Sequence, residues 1–300
     1  MLAGSRTAGA AILALAVAIF AGASSSHAAV EATCMGEPAT IIGTENNDTL
    51  NGTDGEDVIV GLGGDDLIRG QGGSDVICGG DGNDSLYGSN NVLVAFDLIS
   101  GDAGDDVIDG GTKFGGAVVY SEAPGPVDVE LPTGSATGWG NDRVIRISGV
   151  LGSDFNDTIR GNGGTNLLIG LGGDDTITAG GGSDLVLADP GNDRIDGGAS
   201  SGDTIDFAAS PHRVSVNLSS GRASGLGADV VTGFEDVTGT KYADVLTGNG
   251  AANRLQGGAG NDRLLGGGGR DTLTGQQGRD FADGGPARDI CSAERKRRCP

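Results

Sequence analysis

Residues 43–87 read GTENNDTLN, GTDGEDVIV, GLGGDDLIR, GQGGSDVIC and GGDGNDSLY, five nonapeptides without a gap. Each begins with glycine and carries an acid at its sixth position and an aliphatic residue at its eighth. The acids are Asp48, Asp57, Asp66, Asp75 and Asp84, and the aliphatic residues are Leu50, Ile59, Ile68, Ile77 and Leu86. A fixed period of this kind means a linear stack of repeated turns, not a closed globule. Collagen is excluded, because its glycines recur every third residue.

The residue types suggest how one nonapeptide folds. Glycines at the first and fourth positions are expected to take positive φ and to form a tight turn over the first six residues. The last three residues, such as LIR or VIC, alternate outward, inward and outward as a short strand does. One aliphatic side chain per repeat then reaches a thin core. Burying a Leu or Ile stabilises by about 1.5–3 kcal/mol, whereas ordering nine backbones costs on the order of 9–18 kcal/mol. Aspartates stacked along an edge repel one another by roughly 3 kcal/mol per pair at ~5 Å and an effective dielectric near ~20. The bare chain is therefore expected to be marginal or unfolded.

A hard divalent cation reverses both terms. Calcium takes six to eight oxygen ligands, and a glycine turn supplies backbone carbonyls beside the Asp carboxylate. Magnesium demands strict octahedral geometry and keeps its waters. Zinc would need a His or thiolate cluster, and the sequence has none. The recurrent aspartates read as ligands first and as a solvated surface second.

Outward from the opening run, the insertion SNNVLVAF is followed by Asp97, Ile99, Asp106 and Ile108 in the same frame, which returns over 152–196 and 239–291. A longer repeat lies over the short one: residues 97–198 align with 184–285 at a constant offset of 87. VDVELPTGSATG at 127–138 meets VSVNLSSGRASG at 214–225, and Trp139 meets Leu226, which argues against a special role for that indole. The segments 110–151 and 197–238 lose the nonapeptide but keep strand alternation in Val127, Val129 and Leu131 and in Val214, Val216 and Leu218, each followed by a hairpin-like turn. They read as wider coils of the same solenoid, with separate ligand-binding loops as the alternative.

GGDGNDSLY, GLGGDDLIR and GGAGNDRLL resemble the GGxGxDxUx nonapeptide of the RTX (repeats-in-toxin, hemolysin-type) calcium-binding family. The resemblance implies an all-β, right-handed parallel β-roll, or β-solenoid, in which two nonapeptides make one turn and each Ca2+ sits between neighbouring turns on one edge. It would place Asp48, Asp66 and Asp84 on one edge and Asp57 and Asp75 on the other. The further metal ligands it implies are Asp106, Asp157, Asp175, Asp184, Asp193, Asp262, Asp271 and Asp280. Asn166 and Asn253 take the sixth position in equivalent repeats, so those turns are expected to bind poorly or not at all. Ala179 and Ala188 replace the first glycine, Ala282 thins the core, and GGPARDICS lacks the fourth glycine. Regularity is expected to decline toward the C-terminus.

The resulting organisation is a signal peptide over 1–28, an N-terminal cap over 29–42 and roll segments over 43–109, 152–196 and 239–290. These are separated by the inserted segments 110–151 and 197–238 and closed by a C-terminal cap over 291–300. Arg6, the apolar run Ala10–Ala23 and the small residues Ser26 and Ala28 form the three-part signal-peptide pattern, and the run is short for a membrane span. Secretion to an extracellular setting follows as the expectation.

Four cysteines in such a chain suggest two disulfides, with three possible pairings. Cys291 stands at the eighth position of the last repeat and Cys299 lies eight residues on, so a local bridge would fold the tail over the end of the roll; Cys34 would then pair with Cys78. The 60 glycines, single tryptophan and net charge of −22 argue against an ordinary core and against nucleic acid or anionic lipid as partners. A disordered acidic linker is answered by the periodicity.

No catalytic constellation is evident. GASSG at 198–202 lacks the helix that a nucleophile elbow needs, His212 sits in a polar loop, and no HExxH or GxxxxGK[ST] occurs. The sequence reads as a secreted calcium-binding protein and not an enzyme. A structural or adhesive surface module binding an extracellular partner is the alternative, and a secreted hydrolase a more distant one.

Overall fold

The computed structural model describes residues 32–89, 96–111 and 115–299; the leader read over 1–28 lies outside the described residues. Every regular element among the described residues is a β-strand. Most strands are three residues long, as in Thr158–Arg160, Thr176–Thr178 and Arg194–Asp196, which is the length available once six residues of a nonapeptide are committed to a turn.

The chain forms two compact units, one from the described part of Met1–Tyr120 with Gly134–Gly149, the other from Ser121–Thr133 with Val150–Pro300. Each is a parallel β-roll. In the first unit Leu50 pairs with Ile68 and Ile68 with Leu86, while Ile41 pairs with Ile59 and Ile59 with Ile77. In the second, Ile159, Ile177 and Ile195 form one such row and Leu168, Val186 and Ile205 another. The pairing offset is 18 residues in the regular coils and 19 where Val186 meets Ile205, so two nonapeptides make one coil and successive nonapeptides lie on opposite faces. The eighth-position residues Ile59, Ile68, Ile77, Leu86, Ile159 and Leu264 are fully buried, and their neighbours in the strand face outward.

The inserted segments are wider coils. In the first unit Ile108 pairs in parallel with Val144, 36 residues on, and Ser135–Thr137 folds back antiparallel on Asn141–Ile145. In the second, Ile195 pairs with Val231, Val216 with Leu246, and Arg222–Ser224 folds back on Ala228–Thr232. The extra chain therefore forms a hairpin and rejoins the ladder with its register kept. Larger side chains fill these coils: Tyr120 in the first unit, Phe207 and Phe234 in the second, all buried.

Both anticipated disulfides are present, Cys34–Cys78 and Cys291–Cys299. The first joins Cys34 and Cys78 against Val60 in an outer apolar cluster. The second closes a tail that forms a strand of its own, Arg295–Arg297, paired in parallel with Phe281–Asp283. Arg298 donates two hydrogen bonds of 2.6 Å to Asp283 and holds that carboxyl below the usual range.

Two expectations are corrected. The first-position glycines do not take positive φ; in many turns the second and fourth positions do instead, as in Leu62 (φ 80°) and Gly64 (φ 99°), and in Gln71 (φ 72°) and Gly73 (φ 106°). Regularity also does not decline toward the C-terminus. GGPARDICS still places Cys291 opposite Leu273, because Gly285 (φ 107°) supplies the left-handed residue the turn needs at its second position.

Candidate metal centres

The sixth-position carboxylates are held by the backbone of the coil before. Asp48 N–H donates to Asp66 Oδ1 at 2.7 Å, Asp66 N–H to Asp84 Oδ1 at 2.7 Å, and Asp84 N–H to Asp106 Oδ1 at 2.8 Å. On the opposite edge Asp57 N–H donates to Asp75 Oδ1 at 3.0 Å. In the second unit the ladder runs from Asp157 to Asp175 to Asp193 on one edge and from Asn166 to Asp184 on the other. Farther on it links Asp262 to Asp280, while Asn253 N–H donates to Asp271. All thirteen aspartates expected as ligands therefore stand in these ladders, with Asp48, Asp66 and Asp84 on one edge and Asp57 and Asp75 on the other.

Further members were missed from sequence. Asp97 receives the Asp75 N–H, Asp203 that of Asp184, Asp244 that of Val214, and Asp289 that of Asp271. All four lie in recognisable or nearly recognisable nonapeptides, so the signal was present. Asp142 and Asp229 receive the N–H groups of Asp106 and Asp193 across the hairpin insertions, where the period is lost and only a short GND or GAD remains. At the tail Glu294 replaces the aspartate, its Oε2 accepting from Asp280 N–H at 2.7 Å.

The second oxygen of these carboxylates is the informative one. Among the described residues, the Oδ2 atoms of Asp66, Asp75, Asp84, Asp106, Asp175, Asp184, Asp203, Asp262, Asp271, Asp280 and Asp289 are buried without a hydrogen-bond partner. An orphaned buried acceptor costs about 1–3 kcal/mol, and more when charged. Burial raises the carboxyl pKa values of Asp66, Asp75, Asp84, Asp106, Asp175, Asp184, Asp203, Asp262 and Asp271, with neighbouring carboxylates adding to the shift. Asp75, Asp106 and Asp175 are pushed up to about 7, and Asp84, Asp184, Asp262 and Asp271 to about 6.

Backbone oxygens converge on the same spaces. A methyl group placed on Gly61 would stand 2.2 Å from both Asp66 Oδ2 and the carbonyl oxygen of Gly79 in the next coil. On Gly79 it would stand 2.1 Å from Asp84 Oδ2 and 2.8 Å from the Gly101 carbonyl, and on Gly266, 2.2 Å from Asp271 Oδ2 and 2.6 Å from the Gly284 carbonyl. The first glycine thus keeps clear a cradle lined by oxygen, and this, not its φ, is why it is glycine. An all-oxygen, anionic, flexible donor set suits calcium and suits neither zinc nor a strictly octahedral ion. At Asp175, Asp189 and Asp193, three buried carboxylates bring oxygens within 4.8 Å of one another.

The asparagine turns are satisfied without a cation. Asn253 Oδ1 accepts from Asn249 N–H at 2.8 Å while its Nδ2 donates to the Glu235 carbonyl at 3.0 Å. His212 is exposed, its N–H donating to Ser210 Oγ, and Ser200 Oγ accepts from Gly182 N–H at 2.9 Å.

The family model for the RTX calcium-binding nonapeptide repeat (4 copies) matches residues 42–77, 51–86, 70–91, 95–112, 151–186, 178–201, 231–264, 238–273 and 265–294, more than half of the chain. No curated protein matches it.

Proposed function

We propose, from the premise that this chain belongs to the RTX calcium-binding nonapeptide repeat family, that it is an exported protein whose roll folds on binding Ca2+ between successive coils. The eleven buried carboxylate oxygens without a partner carry this reading. The ligands would be the Oδ2 atoms of Asp66, Asp84 and their counterparts, together with first-position carbonyls such as that of Gly79. When bound, the cation supplies the positive charge that these oxygens lack. The chain's own residues do the rest. The backbone N–H ladder orients each carboxylate through Oδ1, the first glycine leaves the cradle open, and the aliphatic row excludes water behind it.

Because the carboxylates come together only in the folded roll, ligation and folding share one free energy. The leader pattern over residues 1–28 and the two disulfides support export, since disulfides persist in oxidising compartments. Circular dichroism in excess chelator, then in millimolar calcium or magnesium, tests the reading. A cooperative gain of β-structure with calcium and little with magnesium is expected. Equal β-content in chelator and calcium would refute it.

A further inference from the structure

Apart from Asp142, Asp193 and Asp229, the ladder aspartates fall into two classes, and the residue at the second position of the turn separates them. At Asp48, Asp57, Asp157 and Asp244 that residue is Thr44, Thr53, Ser153 or Thr240, and its backbone N–H donates to the same Oδ2 that is orphaned elsewhere, at 2.5–2.6 Å. Ser89 does the same for Asp97 across the insertion, at 2.6 Å. Each hydroxyl adds a second bond to the carboxylate, such as Thr53 Oγ1 to Asp57 Oδ2 at 2.9 Å. Asn162 and Asn249 close on Asn166 and Asn253 in the same manner. None of these seven residues has positive φ.

The orphaned oxygens follow the opposite rule. Their second-position residues are Leu62, Gln71, Gly80, Asp102, Leu171, Gly180, Gly198, Gly258, Gly267, Gln276 and Gly285, and all eleven have positive φ. In the left-handed conformation the peptide N–H no longer meets the carboxylate. For Leu62, Gln71, Asp102, Leu171 and Gln276 this conformation costs about 1–3 kcal/mol each unless something offsets it. Threonine, branched at Cβ, is the residue least able to adopt it.

We propose that the second residue of each nonapeptide decides whether its turn takes calcium: left-handed turns are open to the cation, and turns closed by Thr, Ser or Asn are not. The inference rests on the calcium reading above and names the turns that carry it. A closed carboxylate already has its donors, and a cation entering there would face an N–H dipole pointing at it. The order along the chain fits this division. Closed turns begin each run, at Asp48 and Asp57, at Asp97, at Asp157 and Asn166, and at Asp244 and Asn253. Except at Asp97, whose coil stacks on the regular coil of Asp75, the preceding chain there is not a regular coil that could share a cation, and the turn satisfies itself. In the first unit the open turns are therefore Asp66, Asp84 and Asp106 on one edge and Asp75 alone on the other.

The test is bound calcium per chain, measured by equilibrium dialysis and atomic emission on the full chain and three variants. Leu62→Thr is expected to bind one ion fewer, Leu62→Gly the same number, and Thr53→Gly one more. Unchanged counts in both Leu62→Thr and Thr53→Gly would overturn the inference while leaving the calcium reading intact. A wild-type chain that binds no calcium would overturn that reading itself. Should Leu62→Thr fail to fold in saturating calcium, Thr53→Gly decides alone, a gain of one ion supporting the inference and no gain overturning it.

Discussion

Replacing Gly61 with alanine puts a methyl group into the cradle between Asp66 and Gly79. Its carbon would lie 2.2 Å from each of the two oxygens, where ordinary van der Waals contact needs about 3.5 Å, so the oxygens and the methyl must separate by roughly 1 Å. Ala179 and Ala188 occupy the equivalent position in their own coils, and the ladder persists there, Asp184 Oδ1 accepting from Asn166 N–H at 2.8 Å, so the fold accommodates a methyl at this position. The loss falls on the metal and not on the ladder. Overpacking of this size costs about 1–3 kcal/mol, which is a roughly 5- to 150-fold weakening of calcium at that turn. Gly163→Ala is the matched control, because a methyl there meets nothing within 4 Å. The calcium midpoint of folding, followed by circular dichroism, should rise for Gly61→Ala and stay at the wild-type value for Gly163→Ala. Wild-type midpoints in both variants would refute the assignment of the cradle.

Other perturbations have definite outcomes. The carboxyl groups of Asp75, Asp106 and Asp175 titrate near 7 in the folded chain without metal, above the ordinary value of about 4. The folded state therefore holds protons that the unfolded chain releases, and the stability they contribute is complete below about pH 4 and lost as pH rises through 7. In chelator, β-content should be greater at pH 5 than at pH 8, and the calcium midpoint should rise on acidification as protons compete for the same oxygens; pH-independent midpoints would contradict this. Removing Cys34–Cys78, which spans 44 residues, should cost about 4 kcal/mol, and removing Cys291–Cys299, which spans 8, about 2.5 kcal/mol by chain entropy; hydrogen exchange should localise the second effect to the last coils. Asp189→Asn removes one carboxyl ligand from the cluster with Asp175 and Asp193, and should weaken terbium binding, read by luminescence titration, by a larger factor than calcium binding.

The nine-residue period made most of the fold legible, because glycine, aspartate and an aliphatic residue at fixed positions each answer to one physical demand. Ile59, Ile68 and Ile77 are buried in the row where the alternation places them, and Asp48, Asp66 and Asp84 stand on one edge with Asp57 and Asp75 on the other. The division between open and closed turns was not legible. Leu62 and Gln71 are not residues that announce a left-handed backbone, and only the structure shows whether their N–H meets a carboxylate. Asp142 and Asp229 were hidden for a different reason: a hairpin restores register in space while erasing the period along the chain. In the first unit the hairpin coil also carries Tyr120, whose hydroxyl donates to Asp142 Oδ2 at 2.7 Å and so satisfies an oxygen that other coils leave bare. Phe207, its counterpart across the 87-residue repeat, has no hydroxyl to give.

Anomalous diffraction from crystals grown in calcium shows whether the orphaned Oδ2 atoms are calcium ligands. Peaks are expected within about 2.3–2.6 Å of Asp66, Asp84, Asp175, Asp262 and Asp271 Oδ2, and none beside Asp57 or Asp157. A folded, calcium-saturated crystal with no anomalous density at those oxygens would contradict this assignment.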